Sequence, residues 1–215
     1  MSAKGTASSQ FLGYYNLLSA LGWGYILLRV VLSILMFRDD PAHFYQSTRN
    51  VVTAVQCCAT MEIVNSALGL VRSPLFTTVA QVFSRLLIVI GVFQYLPETA
   101  LCSTVVYKTL LVAWSTTEIV RYWFYYKMLQ SPAGPPKFIK WLRYNMFIVL
   151  YPLGVASELL LLFSSLDVAA TKYGPSVQYV IVASMLLYIP GLPILFKHML
   201  RQRRKSNAAL RAKQQ

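Results

Sequence analysis

Six long apolar stretches occupy most of this 215-residue chain and leave little room for any fold other than a membrane bundle. Each is about 20 residues long or longer, which is the length that a helix needs to cross a bilayer. The stretches are residues 11–37, 51–71, 76–96, 104–126, 138–163 and 177–196. Hydrophobic residues make up 56% of the chain and charged residues only 13%, unlike the composition of soluble domains. The sequence therefore predicts an integral membrane protein.

The predicted fold is all-α, a polytopic bundle of six transmembrane helices that forms one domain over residues 1–215. Backbone polar groups in lipid must be satisfied internally, so only helices and closed barrels can span a membrane. The long, continuous apolar runs lack the alternation of barrel strands and favour helices. The first stretch is too long for the core of a signal peptide and has no clear small-residue cleavage site, so we expect it to remain as the first helix.

The basic residues predict the orientation of the bundle. The net charge is +13, and twelve Lys and Arg residues fall on the side that includes Lys4 and the basic tail at 197–215. The other side carries only Arg38, Arg49, Lys108 and Lys172, diluted by Asp39, Asp40, Glu98 and Asp167. The positive-inside rule then places both termini in the cytosol. Because topology explains this clustering, we do not expect a nucleic acid partner.

Arg211 and Lys213 stand close to the end of the chain. They resemble a weakened dibasic signal for retrieval to the endoplasmic reticulum. A basic tail that follows membrane topology and contacts anionic lipid explains them equally well. Both interpretations of the tail stay open.

Several metal and cofactor chemistries lack their residues in this chain. The two histidines, His43 and His198, are too few for the ligand clusters of di-iron or zinc enzymes. The sequence has no dinucleotide or P-loop glycine motif and no nucleophile elbow. Cys57, Cys58 and Cys102 are not followed six positions later by the Arg of a cysteine phosphatase, and we expect free, buried thiols. No cofactor and no metal are expected, which leaves an acid–base enzyme, a transporter or a non-catalytic scaffold.

Ionisable residues lie within the apolar stretches, where a charge is costly unless it is paired, hydrated or functional. They are Glu62, Arg85, Glu118, Arg121 and Glu158. Glu118 and Arg121 are three residues apart, which predicts an ion pair on one helix face that supports the bundle. Arg85 is either a group that binds an oxyanion or phosphate, or the counter-ion of Glu62 or Glu118.

The fifth stretch aligns side chains that can transfer protons. Tyr144, Tyr151 and Glu158 are spaced by seven residues, so successive members differ by only about 20° in direction and about 10.5 Å in height. Pro152 and Gly154 are expected to alter the helix and could bring Tyr151 closer to Glu158. A carboxyl and a phenol in a dry pocket suit general acid–base catalysis. The alternative is that Tyr151 is an ordinary buried aromatic and Glu158 caps or pairs near the end of the span.

Six short motifs are spread over nearly the whole chain. They are Tyr15-Asn16-Leu17 with Gly22-Trp23, Glu62-Ile-Val-Asn65, Gln81-Val-x-Ser84-Arg85, Trp114-Ser-x-Thr-Glu118-Ile-x-Arg121-Tyr122, Tyr151-Pro-x-Gly-x-x-x-Glu158 and Tyr188-Ile-Pro190-Gly191. In this order they resemble the very-long-chain 3-hydroxyacyl-CoA dehydratases, also called the protein-tyrosine-phosphatase-like family. The resemblance implies six spans with cytosolic termini in the endoplasmic reticulum membrane.

The same resemblance implies an activity and its residues. The reaction is the third step of fatty-acid elongation, in which a very-long-chain (3R)-3-hydroxyacyl-CoA loses water to give a trans-2-enoyl-CoA. Tyr151 and Glu158 match the catalytic pair of the family. We hypothesise that Glu158 removes the C2 proton and Tyr151 protonates the leaving hydroxyl, with exchanged roles left open. The groups expected to support the site or polarise the substrate are Arg85, Glu118, Arg121, Tyr144 and Asn145.

The partners implied are the acyl-CoA substrate, membrane lipid, and the condensing enzyme and reductases of the elongation cycle. A scaffold for other lipid enzymes and a small transporter are the competing hypotheses, although no convincing internal repeat of the transporter type occurs. One difficulty concerns depth. A straight helix that enters the membrane at Phe138 would place Glu158 about 30 Å along its axis, far from a cytosolic CoA. We therefore expect a bent or re-entrant fifth segment.

Overall fold

The computed structural model of this protein describes residues 3–36, 40–71, 75–132 and 134–211, with side chains between residues 8 and 208. All regular structure within these ranges is helical, which confirms the all-α prediction. Some residues of the orientation argument lie outside the described residues. These are Arg38, Asp39, Arg72, Lys213 and the last part of the basic tail.

Ten α-helices, a π-helical segment and a short 3₁₀ turn make up the described part of the chain. The α-helices are α1 (Ala3–Leu35), α2 (Pro41–Cys57), α3 (Thr60–Ala67), α4 (Leu75–Leu86), α5 (Val105–Gln130), α6 (Lys137–Asn145), α7 (Phe147–Ser164), α8 (Leu166–Tyr173), α9 (Pro175–Leu186) and α10 (Tyr188–Arg211). The π segment is Leu87–Tyr95 and the 3₁₀ turn is Ala100–Ser103. They group into six consecutive helical columns: α1, α2–α3, α4 with the π segment, α5, α6–α8 and α9–α10.

Four of these columns are long and apolar enough to cross a membrane. The qualifying ranges are Ser8–Leu35, Leu75–Tyr95, Phe147–Tyr173 and Pro175–Ala208. The other two columns, α2–α3 and α5, carry more polar and charged side chains. The protein is thus a helical membrane protein, and four of the six predicted spans meet this criterion by length and composition.

The helix α5 lies at the centre of the bundle, packed along α1 on one side and α7 on another. Trp23 of α1 and Trp114 of α5 meet edge to face, with ring centroids 6.3 Å apart. Cys102 is a free thiol buried beside this core, as expected. Cys57 is only half-buried and Cys58 is exposed, so the prediction of buried thiols is wrong for these two, because they lie at the end of α2 rather than inside a longer helix.

Local sequence signals explain several helix ends. The Asp40 side chain accepts from the Ala42 N–H at 3.3 Å and caps α2, whose first residue is a proline. Thr104 caps α5 through the Val106 N–H at 3.2 Å. Gly174, at a φ of 85°, ends α8 in the left-handed region and lets the chain turn directly into α9.

The π segment is tied to α2 by side chains that reach its carbonyl groups. The Thr53 hydroxyl donates to the Val89 carbonyl at 3.2 Å, and the Tyr45 hydroxyl donates to the Phe93 carbonyl at 3.1 Å. Side-chain donors of this kind satisfy carbonyl groups that a widened helix presents to its neighbours.

The fifth column is interrupted, but not between Tyr151 and Glu158. The breaks are at Met146, between α6 and α7, and at Ser165, between α7 and α8. Pro152 lies inside α7, which stays helical from Phe147 to Ser164. The predicted single span at 138–163 is therefore two helices, and the first of them, α6, buries no residue.

Candidate active site

The carboxylate of Glu158 is held between three helices. Glu158 lies on α7 and is only 8% exposed. The Trp114 Nε1–H of α5 donates to its Oε1 at 2.7 Å, and the Tyr188 hydroxyl at the start of α10 donates to its Oε2 at 2.8 Å. Each carboxylate oxygen thus has one fixed donor and keeps capacity for another.

Tyr151 stands two turns before Glu158 on the same unbroken helix. Its ring stacks on Phe196 of α10, with centroids 6.0 Å apart and planes at 28°. Its hydroxyl is buried and has no hydrogen-bond partner among the described residues. Glu158 follows Tyr151 by seven residues, about 10.5 Å along the axis of α7. Because a buried hydroxyl without a partner is costly, this group is available to a bound molecule that supplies one.

Beside this site, two arginines and two carboxylates form a charge network. Arg85 pairs with Glu118, and Arg121 donates from Nε to Glu118 Oε2 at 2.8 Å. Arg121 also donates two hydrogen bonds to the Glu62 carboxylate, at 2.8 and 2.5 Å. The predicted pair of Glu118 and Arg121 is confirmed, and Arg85 is the counter-ion of Glu118, the second of its two interpretations. Pairing and hydrogen bonding offset the cost of burying these ions.

The network touches the Glu158 site through one aromatic ring. The guanidinium of Arg85 lies over the Trp114 ring, 5.1 Å from its centroid, and the Trp114 N–H holds Glu158. This cation–π contact fixes the ring against a charged group that is itself anchored by Glu118. At the other end, the Tyr122 hydroxyl donates to Glu62 at 2.6 Å.

Tyr144 and Asn145 lie at the end of the fifth column, apart from this cluster. The Tyr144 ring packs edge to face with Phe124, with centroids 6.2 Å apart. The Asn145 Oδ1 accepts from Arg203 Nε at 2.7 Å. About 20 Å of helix separates them from Glu158. Contacts therefore link Arg85, Glu118 and Arg121 to Glu158 through Trp114. Tyr151 lies two turns from Glu158 on α7, whereas Tyr144 and Asn145 contact Phe124 and Arg203 instead.

Comparisons with known proteins decide the family. A family model described as "Protein tyrosine phosphatase-like protein, PTPLA" matches residues 56–209. The chain belongs to the PTPLA family. It is 39% identical to the very-long-chain (3R)-3-hydroxyacyl-CoA dehydratase hpo-8 of Caenorhabditis elegans, over 91% of this chain and 93% of the relative. It is 41% identical to a probable very-long-chain (3R)-3-hydroxyacyl-CoA dehydratase of Schizosaccharomyces pombe, over 91% and 92%.

A mammalian PTPLA relative extends beyond this chain. The chain is 34% identical to the very-long-chain (3R)-3-hydroxyacyl-CoA dehydratase 1 of Mus musculus, over 94% of this chain and 74% of the relative. No solved structure matches the chain. The resemblance inferred from the six motifs is confirmed.

Trp114 and Tyr188 are site residues of this PTPLA chain to which sequence reasoning assigned no role. Both belong to the quoted motifs, and both are aromatics with a polar tip inside an apolar stretch. Such side chains usually find a hydrogen-bond partner when buried, which was the available signal. Their common partner, Glu158, lies 44 residues from Trp114 and 30 from Tyr188, so only the packing of the helices reveals it.

Proposed function

We propose that this protein is a very-long-chain (3R)-3-hydroxyacyl-CoA dehydratase, which eliminates water to give the trans-2-enoyl-CoA. Its PTPLA relatives are named for this activity. The observation that carries the proposal is the buried Glu158 carboxylate, held by Trp114 and Tyr188 on the helix that also carries the unpartnered hydroxyl of Tyr151. A base and a proton donor on one face are what the elimination needs.

In the proposed mechanism Glu158 removes the C2 proton and Tyr151 protonates the departing hydroxyl. The electrons of the C2–H bond form the C2=C3 double bond, the C3–O bond breaks, and water leaves. The Trp114 N–H can only donate, so it favours the ionised carboxylate that a base requires. This is the physical reason for assigning the base to Glu158 and the acid to Tyr151. After water and product leave, Glu158 releases its proton and the Tyr151 phenolate takes one up, which restores both groups.

Turnover of a defined substrate tests the activity. The purified protein in detergent or nanodiscs should convert a (3R)-3-hydroxyacyl-CoA to the enoyl-CoA, seen by the absorbance of the conjugated thioester and by mass spectrometry. The (3S) enantiomer is the matched control and should react far more slowly. A scaffold would turn over neither enantiomer, and a transporter would move a substrate across sealed vesicles without changing it. Either result would contradict the proposal.

We also propose that all six columns span the membrane as one domain, with both termini cytosolic in the endoplasmic reticulum. Helix α5 fails the apolar criterion because it carries charged residues, yet Glu118 is only 2% exposed and is paired. A helix surrounded by other helices does not need an apolar surface on every side. The α2–α3 column would be the remaining span, since its interior side carries polar groups such as Glu62 that are satisfied across the bundle.

The break at Met146 supports a shallower site than a straight span would allow. Helix α6 buries no residue, and its Trp141 is 50% exposed, as expected for a helix at the membrane surface. If the membrane segment begins with α7 at Phe147, Glu158 lies about 17 Å along it, near mid-bilayer. Basic residues of α6 and of the α10 tail would then attract the CoA phosphates at the cytosolic surface.

Membrane lipid, the condensing enzyme and the reductases of the elongation cycle remain the proposed partners. The substrate and product of this step are too apolar for efficient diffusion through water, which favours transfer within the bilayer between such enzymes. The basic tail at 197–215 either acts as a retrieval signal or only follows membrane topology. Localisation of the protein distinguishes the two, because only a retrieval signal would determine where the protein resides.

The variant Tyr188→Phe should slow catalysis without preventing folding. It removes one hydrogen bond to the Glu158 carboxylate while keeping the ring, and a hydrogen bond to a charged group accounts for about tenfold or more in rate. We expect kcat to fall by that factor and KM to change by less than about twofold. Steady-state kinetics measure both values.

The matched control for Tyr188→Phe is Tyr179→Phe, since Tyr179 of α9 is 69% exposed. The control should keep wild-type kinetics. Equal turnover of the two variants would show that Tyr188 does not position Glu158.

A further inference from the structure

An apolar cavity of about 250 Å³ lies between the π segment, α7 and α9. Its walls include Leu87 and Gly91 of the π segment, Leu162 of α7 and Ile181 of α9. The cavity is open on one side, where Val180 of α9 is 59% exposed.

Each element that lines this cavity belongs to a helical column that also carries a side chain of the Glu158 site or of its charge network. Leu162 follows Glu158 by one turn of α7, about 6 Å along the helix. Leu87 follows Arg85 by two residues in the same column. Ile181 precedes Tyr188 by seven residues on the last column. The cavity therefore lies on the side of Glu158 that is away from Tyr151, about one helical turn further along α7.

Tyr95 and Tyr173 line the end of the cavity that is farthest from Glu158. The Tyr173 hydroxyl of α8 donates to the Tyr95 carbonyl at the end of the π segment, at 3.4 Å. Just beyond them, Lys172 pairs with Glu98 at 3.0 Å, and both side chains are exposed. The apolar space thus ends at a polar boundary where the helices leave the bundle.

We propose that this cavity binds the acyl chain of the substrate and that Gly91 and the Tyr173–Tyr95 contact limit the length it accepts. This inference rests on the proposed dehydratase activity. With the thioester end fixed at Glu158 and CoA toward α6, the chain must continue away from Tyr151, and the cavity lies in that direction. Because the acyl chain enters from the bilayer rather than from water, burial alone favours no chain length, and the fit of the chain to the cavity walls should set the accepted length.

The glycine at position 91 makes the proposal testable. A Cβ built there would meet the Leu87 side chain at 3.4 Å, an ordinary contact, so a side chain can start at this position and extend into the cavity. Gly91→Phe should fill the cavity and lower kcat/KM for long acyl chains by about tenfold or more, while short chains react as in the wild type. A homologous series of 3-hydroxyacyl-CoA substrates measures the profile.

Two further variants complete the test. Tyr173→Ala removes the contact with Tyr95 and the ring that lines the far end of the cavity, and it should shift the preferred substrate to longer chains. Gly24→Phe is the matched control, because a Cβ at Gly24 of α1 has no atom within 4 Å among the described residues, and its profile should equal that of the wild type.

The outcomes separate this inference from the proposed function. If the wild type shows no turnover at any length, the dehydratase proposal fails. If it is active but both Gly91→Phe and Tyr173→Ala keep its length profile, bilayer lipid rather than substrate fills the cavity and the inference is wrong. The inference would also be wrong if Gly91→Phe lost kcat/KM equally at all acyl chain lengths and Tyr173→Ala kept the wild-type length profile.

Discussion

The variant Glu158→Gln should lose about a thousandfold or more of its turnover, within the range that general acid–base groups contribute. The amide cannot take up the C2 proton, so the elimination loses its base. The fold should survive, because the Gln oxygen can still accept from the Trp114 N–H and the Tyr188 hydroxyl can rotate to accept from the new amide. Single-turnover assays with a (3R)-3-hydroxyacyl-CoA measure the loss, and circular dichroism measures helix content.

Two comparisons make this result specific. Tyr151→Phe should show a loss of similar size, since it removes the proposed acid but leaves Glu158 and its donors in place. Glu98→Gln alters an exposed carboxylate and should leave turnover unchanged. Wild-type rates in both Glu158→Gln and Tyr151→Phe would refute the proposed site.

Replacing Arg121 by Met should destabilise the protein by about 3 kcal/mol, because removing one partner of a buried ion network leaves uncompensated charge. Arg121 serves two carboxylates at once, Glu118 and Glu62, and the Glu118 side chain is 3% exposed. Arg121→Lys should recover only part of the lost stability, since an ammonium cannot form the bidentate hydrogen bonds that Arg121 makes with Glu62. Thermal unfolding in one detergent at fixed lipid content measures both variants.

The control for Arg121→Met is Lys172→Met, which breaks the exposed ion pair with Glu98. Solvent screens such a pair, so the midpoint of unfolding should not change measurably. If Arg121→Met and Lys172→Met unfold alike, the charge network does not hold the bundle together.

The fifth column shows how far sequence reasoning reaches. The spacing of Tyr151 and Glu158 correctly placed both side chains on one helix, because helical periodicity is a local property of the chain. The proline between them was expected to alter the helix; α7 remains helical past Pro152, and the column is interrupted earlier, at Met146. A proline removes the hydrogen bond to the residue four positions before it, so Pro152 does not account for a break six residues away, for which the sequence alone carried no signal.

Arg85 illustrates a choice that the sequence leaves open. Its burial among apolar residues required a partner, but a ligand anion, Glu62 and Glu118 were all acceptable on charge alone. The structure selects Glu118 and adds the Trp114 ring beneath the guanidinium. The π segment at Leu87–Tyr95 was likewise not predicted, because its carbonyl groups are satisfied by side chains of α2 that are distant in sequence.

By itself, the sequence determined that this chain is a helical membrane protein of the PTPLA family and that Glu118 pairs with Arg121, since apolar length, motif order and a three-residue spacing are all local. Only the tertiary structure decided that Trp114 and Tyr188 hold Glu158, that Arg85 is the counter-ion of Glu118, and that an apolar cavity lies between the π segment, α7 and α9. A helix that is apolar on nearly all sides carries no stripe to show which face points inward. Its rotation, and hence its polar contacts, is set by the helices packed around it.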